Sequence, residues 1–356
     1  MFKEKYTVLG VMSGTSLDGI DLARIVFTIC NNKWEFEILE SETVSYSTQW
    51  LNKLKTALSL THEELAHLDK DYTQLLAAVI NDFLKIKKIK NLDAICSHGH
   101  TILHQPQKGY TLQIGNLPLI ATLTKNTVIC DFRVQDVKLG GQGAPLVPIG
   151  DQILFSDYEY CMNLGGFSNI SFIENEKRVA FDVSPVNTIL NYYATLLGFE
   201  YDNKGLMAKS GKCQNDLLNE LNELPFYKLS YPKSLGFEFV KETVLPLMEQ
   251  YNIPIEDKLN TFIKHVASQV SRALNIKEGK MLVTGGGAYN DFLIEKIKEQ
   301  LPEMEIIIPD RKTLEFKEAL IFGFLGVLKL RGEINVLSSV TGAIHDHCSG
   351  KIYNQK

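Results

Sequence analysis

The chain of 356 residues carries 37 Lys and Arg against 42 Asp and Glu, a formal net charge of −5, and is 45% hydrophobic and 22% charged. That length suits two domains with a core that needs no disulfide or metal staple. The mild acidity gives no reason to expect a nucleic-acid partner, no apolar run has the length of a membrane span, and six scattered cysteines read as small buried hydrophobes in a reducing, cytoplasmic setting.

Residues 1–5 run straight into a strand, with no apolar leader segment. Strands are predicted at 6–11 and 20–29, flanking the tip Gly10-Val11-Met12-Ser13-Gly14-Thr15-Ser16-Leu17-Asp18-Gly19-Ile20-Asp21. Such a tip can aim backbone N–H groups and hydroxyls at a phosphate while its carboxylates face a divalent cation. It is not a P-loop, because Gly-Lys-Ser/Thr is missing and a strand follows where a helix is needed. The plain alternative is a turn that binds nothing, since these are ordinary turn residues.

A third strand is predicted at 34–44 and helices at 48–60 and 61–88. The second helix opens with Thr61-His62-Glu63-Glu64, which fits a capping box. A short buried strand at 92–97 leads into a polar loop, Ser97-His98-Gly99-His100-Thr101. Strands at 110–115 and 127–131 both end in polar, glycine-bearing segments, where α/β sheets present ligands. Asp131 ends the second of these, with Arg133 two residues on. Its plain reading is a strand-end carboxylate paired with Arg133. The Gly- and Pro-rich run 139–148 reads as a loop leading to a linker near Asp151.

Strand 159–164, the tip Gly165-Gly166-Phe167-Ser168-Asn169 and strand 170–174 repeat the pattern of the first hairpin. No close sequence repeat is visible, yet one device used twice argues for two related lobes. A helix is predicted at 184–197, a loop at 209–213, and helices at 215–223, 233–251 and 255–275. A buried strand at 280–284 meets Gly285-Gly286-Gly287 and then a helix from about 290 to 300, a turn that lets a ligand approach the backbone at a helix start. A last strand at 305–308 and a helix at 313–330 complete the lobe. His98, His100 and His104 lack a nearby Cys or carboxylate to complete a zinc site. His345-Asp346-His347-Cys348 reads as a surface turn, and Tyr192, Tyr193, Phe226 and Tyr227 read as core.

Together these segments resemble the anhydro-N-acetylmuramic acid kinase family of the actin/hexokinase/Hsp70 superfamily. The resemblance rests on the first tip, Ser97 to Thr101, Thr111-Leu112-Gln113-Ile114-Gly115-Asn116, Asp131-Phe132-Arg133 and Gly140-Gly141-Gln142-Gly143-Ala144-Pro145-Leu146-Val147-Pro148. It continues through Asn163-Leu164-Gly165-Gly166, Thr284-Gly285-Gly286-Gly287-Ala288, Arg331-Gly332-Glu333-Ile334-Asn335-Val336-Leu337 and Ser339-Val340-Thr341-Gly342-Ala343, in the family's order over nearly the whole chain. Two departures stand out. His100 replaces the family's usual Gln, and Phe181-Asp182-Val183-Ser184-Pro185-Val186-Asn187 replaces Phe-Asp-Thr-Gly-Pro-Gly-Asn. Both bear on substrate choice and rate.

The resemblance implies a two-lobed α/β, actin/hexokinase-like (ribonuclease H-like) fold with a central interlobe cleft. Residues 1–150 would form the N-terminal lobe, with 331–356 packing back on it, and 151–330 the nucleotide-binding lobe. The implied activity opens the 1,6-anhydro ring of 1,6-anhydro-N-acetylmuramic acid with water and phosphorylates O6 from ATP, in peptidoglycan recycling by a homodimer. Asp131 would be the base that takes the water's proton. Gly14, Thr15, Ser16, Leu17, Asp18, Gly19, Ile20 and Asp21 would meet the ATP phosphates, with Gly165 and Gly166 as a second phosphate loop and Gly285, Gly286 and Gly287 beside the adenosine. His98, His100, Arg133 and Asn187 would bind the sugar. Asp18, Asp21 and Asp182 are the candidates for Mg²⁺, with Asp182 either a metal-shell carboxylate or a loop brace. The competing readings are a kinase for another amino sugar and a non-catalytic sugar or nucleotide sensor.

Overall fold

The computed structural model describes residues 2–14 and 17–355. It divides into two compact units, Met1–Leu154 with Phe316–Lys356, and Phe155–Glu315.

The first unit is built on a seven-stranded sheet in the order β12-β6-β4-β1-β2-β3, with β5 paired to β4. Its strands are β1 (Lys5–Ser13), β2 (Ile20–Cys30), β3 (Lys33–Val44), β4 (Ala94–Gln105), β5 (Tyr110–Ile114), β6 (Val128–Cys130) and, numbered last in the chain, β12 (Lys351–Tyr353). The first three form an antiparallel meander, while β4 runs parallel to β1 and β6 parallel to β4. Val8, Leu9 and Val11 of β1 are buried in succession, as expected of a strand covered on both faces. At the edge, β3 turns Glu35 and Glu37 to solvent, charges that discourage edge-to-edge pairing.

Helix His62–Ile86 covers one face with Leu65, Leu68, Tyr72, Leu76, Ile80 and Phe83, the spacing of an amphipathic helix. Its capping box forms as expected: Thr61 Oγ1 accepts from the Glu64 N–H, and the Glu64 carboxylate accepts from the Thr61 N–H. Helix Arg311–Arg331 covers the other face, and Phe324 packs on Phe27 and Trp34 at ring-centre distances of 5.2 Å. A Cβ on Gly10 would run into the carbonyl of Ala319, so only glycine lets β1 and this helix approach so closely. This contact corrects the expected lobe boundary. Residues 316–330 belong with the first unit, and the helix leaves helical geometry at Phe316, where the division falls.

The second unit holds a five-stranded sheet in the order β11-β10-β7-β8-β9. Here β7 (Tyr160–Leu164), β8 (Phe167–Glu174) and β9 (Lys177–Pro185) form the antiparallel meander, and β10 (Gly279–Thr284) and β11 (Met304–Ile307) continue in parallel. This order matches β6-β4-β1-β2-β3 strand for strand. The expectation of two related α/β lobes of ribonuclease H type is met by topology, although no sequence repeat announces it. Helix Ile255–Ala273 packs Leu259, Phe262, Ile263, Val266 and Val270 into this unit's core.

Four local expectations change. Ser97 to Thr101 is not a loop: β4 continues through it to Gln105, pairing with both β1 and β5. Phe181 to Pro185 is strand, the end of β9, so the helix expected from 184 begins only at Asn187. The helix expected over 233–251 begins only at Phe237 and passes through a π-turn at Val240–Val244, just before Pro246, which has no N–H to give. The segment 345–348 is not wholly a surface turn, because His347 is buried and bridged to Val336. Among the described residues no helix is long and apolar enough to cross a membrane, and all six cysteines are free. Tyr193 and Phe226 are core residues, as expected, while Tyr192 is exposed.

Candidate active site

The turn between β1 and β2 holds the first set of predicted residues. Thr15 and Ser16 lie outside the described residues. Gly14 and Leu17 close a turn through the Leu17 N–H, and Leu17 takes a left-handed backbone at φ 64°. Asp18 is exposed, and Gly19 and Ile20 are buried at the start of β2. Thr43 Oγ1 donates to Oδ1 of Asp21 at 2.6 Å, so a neighbouring strand braces this carboxylate.

His98 and Arg133 come together. Arg133 Nε donates to Nε2 of His98 at 2.8 Å and its NH1 donates to the Gly143 carbonyl at 2.6 Å. His98 Nδ1 donates to the Gly99 carbonyl at 2.9 Å, so the ring is neutral and protonated on Nδ1. Burial and then the Arg133 charge hold the His98 pKa well below its ordinary value. Arg133 itself is pulled down to about 10 by burial. The Gly140–Pro145 loop is anchored behind it. Asp136, fully buried, accepts from the Gly143 N–H at 2.6 Å and from Thr341 Oγ1 at 2.7 Å, with His347 Nε2 at 3.5 Å.

Glu318 is a candidate that the sequence reading missed. Its side chain reaches solvent, yet surrounding protein desolvates the carboxyl and pushes its pKa up. The charge of Asp21 adds to that rise, while Arg133 and Lys317 oppose it. A carboxyl desolvated in this way beside residues of two predicted ligand sets is a candidate site residue. The signal was hidden because Lys317-Glu318 heads an apolar helical run and reads as a solvated face. In fact Lys317 is buried on Asp151 at 2.7 Å.

Asp131 follows β6 in a left-handed conformation at φ 59°. Its carboxylate does not pair with Arg133, as the plain reading expected. Instead Lys351 of β12 supplies the cation, with Nζ 2.7 Å from Oδ2. Lys351 was not singled out, because a single Lys near the end of a chain carries no pattern.

In the second unit, Gly165, Gly166, Asn187 and Gly285 to Gly287 gather at the ends of β7 and β10. Asn187 Nδ2 donates to the Leu164 carbonyl at 3.2 Å, and its N–H reaches the Gly165 carbonyl at 3.2 Å. Gly285 sits at φ 83°, and a Cβ there would lie 2.8 Å from the Leu164 backbone, so its glycine is already required by the packing of two turns. Asn187, expected as a sugar ligand, is held by these hydrogen bonds beside the predicted nucleotide loops of its own unit.

Asp182 is half-buried on β9, and its Oδ2 accepts from the Leu235 N–H at 2.8 Å. Burial raises its pKa. The substituted Ser184 next to it donates to the Pro185 carbonyl at 2.9 Å and lies 3.5 Å from Tyr227 Oη, which contacts His265 Nε2 at 2.9 Å. Burial lowers the His265 pKa to about 3. No three His, Cys, Asp or Glu side chains cluster among the described residues. One or two carboxylates suffice for Mg²⁺, which keeps much of its water.

A family model described as anhydro-N-acetylmuramic acid kinase matches residues 6–355. Proteins bearing that name from Pseudomonas syringae pv. tomato and Mannheimia succiniciproducens are each 34% identical, covering 97% and 99% of this chain and 98% and 100% of their own. Their namesake from Shewanella baltica is 33% identical over 98% of both chains. Among solved structures, the (R)-2-hydroxyglutaryl-CoA dehydratase component A of Acidaminococcus fermentans aligns with a TM-score of 0.45 and 14% identity, covering 88% of this chain and 95% of its own. A glucokinase of the ROK family from Streptomyces griseus, in complex with glucose and AMPPNP, aligns with a TM-score of 0.42 and 10% identity, covering 90% and 98%.

Proposed function

The chain belongs to the anhydro-N-acetylmuramic acid kinase family, and on that premise we propose that it opens the 1,6-anhydro ring of 1,6-anhydro-N-acetylmuramic acid with water and transfers the γ-phosphoryl group of ATP to O6. It is a kinase, a phosphotransferase with an alcohol acceptor. The match of the family model over residues 6–355 carries this reading.

The reaction asks two things of the protein. A water molecule must attack the anomeric carbon, forming a C–O bond and giving up a proton, while the bond from that carbon to O6 breaks. O6 then takes the phosphoryl group and ADP leaves. A carboxylate accepts the proton, and positioned cations and N–H groups neutralise the transferring phosphoryl group. Asp131 is the base of this proposal. A second assignment has its own support: Asp182 has a raised pKa and a single backbone donor, whereas Lys351 occupies Asp131.

In the first unit, Gly14 to Asp21 meet the phosphates and His98, His100 and Arg133 meet the sugar. In the second, Gly165, Gly166 and Gly285 to Gly287 meet the nucleotide, and Asn187, which braces the first of these turns, meets the sugar. Mg²⁺, when bound, offsets phosphate charge. Asp18 and Asp21 are its proposed ligands in the first unit and Asp182 in the second, and the Asp21 charge, which adds to the rise of the Glu318 pKa, is one that a nearby cation would offset. A homodimer working in peptidoglycan recycling in the cytoplasm belongs to the same reading.

The test offers purified chain, ATP and Mg²⁺ either 1,6-anhydro-N-acetylmuramic acid or N-acetylglucosamine. Sugar-dependent ADP release with only the first is expected. Phosphorylation of only the second would replace the acceptor, and no sugar-stimulated turnover with either would leave a sensor.

A further inference from the structure

Tyr72, Tyr46, Ser13 and His100 stand in a row inside the first unit. Tyr72 Oη is 2.6 Å from Tyr46 Oη, Tyr46 Oη is 2.6 Å from Ser13 Oγ, and Ser13 Oγ is 2.8 Å from Nδ1 of His100. Exposure is 0% at Tyr72, 2% at Ser13 and 3% at His100. The row has three contacts and three hydroxyl protons to fill them.

Its closed end sets the direction. Tyr72 has one short hydrogen-bond partner, Tyr46 at 2.6 Å, and a weaker contact to Ser13, so its buried proton goes to Tyr46. Tyr46 passes its own proton to Ser13, and Ser13 passes its proton to Nδ1 of His100. Every hydroxyl then donates once. The reverse direction would leave the buried Tyr72 hydroxyl with no short acceptor, only the weaker Ser13 contact, at a cost of up to about 1–3 kcal/mol. An imidazole that accepts at Nδ1 carries its proton on Nε2, and Nε2 of His100 has no partner among the described residues.

We infer that this row locks His100 as the Nε2–H tautomer and makes it a dedicated donor to an acceptor oxygen of the sugar, so that His100 is a specificity residue and Tyr46 and Tyr72 are positioning residues. The inference rests on the sugar-kinase reading above. It adds the polarity of one contact: the oxygen facing His100 must accept, as an N-acetyl carbonyl or a lactyl carboxylate does. Burial pulls the His100 pKa down to about 4, so the ring stays neutral and the row stays intact at neutral pH. His98, two residues away on β4, is fixed in the opposite tautomer by the Gly99 carbonyl and Arg133. The row also ties the sugar strand to Ser13, at the root of the first tip.

The test uses the full chain labelled with ¹⁵N-histidine. Long-range ¹H–¹⁵N spectra at neutral pH should show His100 protonated on Nε2 and His98 on Nδ1, with His100 assigned by the signals lost in His100→Gln. Tyr46→Phe should mix the two His100 tautomers. A His100 protonated on Nδ1, or a tautomer unmoved by Tyr46→Phe, overturns the inference.

Kinetics supplies the second arm. His100→Leu should raise KM for the anhydro sugar about tenfold, the scale of one hydrogen bond, with KM for ATP unchanged. His100→Gln should stay within about threefold of the wild type, because its amide oxygen accepts from Ser13 while its NH₂ donates outward. Repeating both with the anhydro sugar that lacks the lactyl group tells the two oxygens apart: the penalty persists if the acetyl carbonyl is the acceptor and vanishes if the lactyl carboxylate is. A normal sugar KM in His100→Leu defeats this inference alone. A wild-type chain that cannot turn over the anhydro sugar defeats the functional reading beneath it.

Discussion

Lys351 and Asp131 form an ion pair of 2.7 Å across two strands distant in sequence, with Lys351 opposite Cys130 in the β6–β12 register. The pair fixes the position of the Asp131 carboxylate beside β12. If Asp131 is the base, Asp131→Asn loses about 10²-fold or more in turnover with ATP binding retained. Lys351 is 57% exposed on its side chain, so Lys351→Met should cost under about 1 kcal/mol of stability. Wild-type turnover in Asp131→Asn would remove that residue from the chemistry.

Asp182 makes the complementary case. Its folded pKa is raised by burial, so the group favours the folded state most below its unfolded pKa, and that contribution is lost as pH rises through the folded value. At pH 7 the buried charge is a burden. Asp182→Asn, which can still accept from the Leu235 N–H, should therefore keep or raise the melting temperature while lowering kcat. A lower melting temperature with full activity would make Asp182 a loop brace.

Glu318→Gln tests the residue that only the structure revealed. Neutralising it removes the like-charge partner of Asp21 and the counter-charge of Arg133. The expected result is a change in the Mg²⁺ concentration needed for half-maximal rate, with little change in melting temperature. An unaltered Mg²⁺ dependence and kcat would place Glu318 outside the site.

Buried neutral histidines give the opposite pH slope to Asp182. His100 and His265 are depressed to about 4 and about 3, and His98 lies well below its ordinary value. An unfolded histidine takes up its proton near pH 6.5, so these groups support folding above that pH and withdraw support as pH falls toward the folded values. Thermal melts between pH 7.5 and 5 should show a falling midpoint. His265→Gln should lower the midpoint at pH 7.5 yet flatten the slope. An equal slope would mean that His265 titrates alike in both states.

Gly10→Ala should destabilise by about 1–3 kcal/mol, the usual cost of forcing an extra methyl into a packed core, because the new Cβ meets backbone rather than a side chain that can turn away. Chemical denaturation would measure it. An unchanged midpoint would show that β1 and the helix bearing Ala319 can separate freely.

Much of this architecture was legible in local pattern. The capping box at Thr61, the strand–tip–strand units and the glycine turn after β10 all follow from spacing and residue type. What pattern misled was the polarity of β4. His98 and His100 looked like loop residues, and they sit in a strand where neighbouring groups take both ring nitrogens of His98 and Nδ1 of His100. Lys351, Glu318 and Tyr46 could not be found by spacing, since each matters through a partner far away in sequence. The sugar role of Asn187 comes from the resemblance alone, and its hydrogen bonds to Leu164 and Gly165 are not legible in spacing.

The first unit is discontinuous, interrupted by residues 155–315. During synthesis its opening meander must wait for the whole second unit before helix Arg311–Arg331 can arrive to cover Gly10, and the apolar face of β1 stays open to water or chaperones meanwhile. The interrupting unit has its own sheet and core and can mature first. A nascent chain whose first 315 residues have left the ribosome should therefore hold a folded second half beside an unfinished first one, and Asp131 would meet its lysine only as the final strand is laid down.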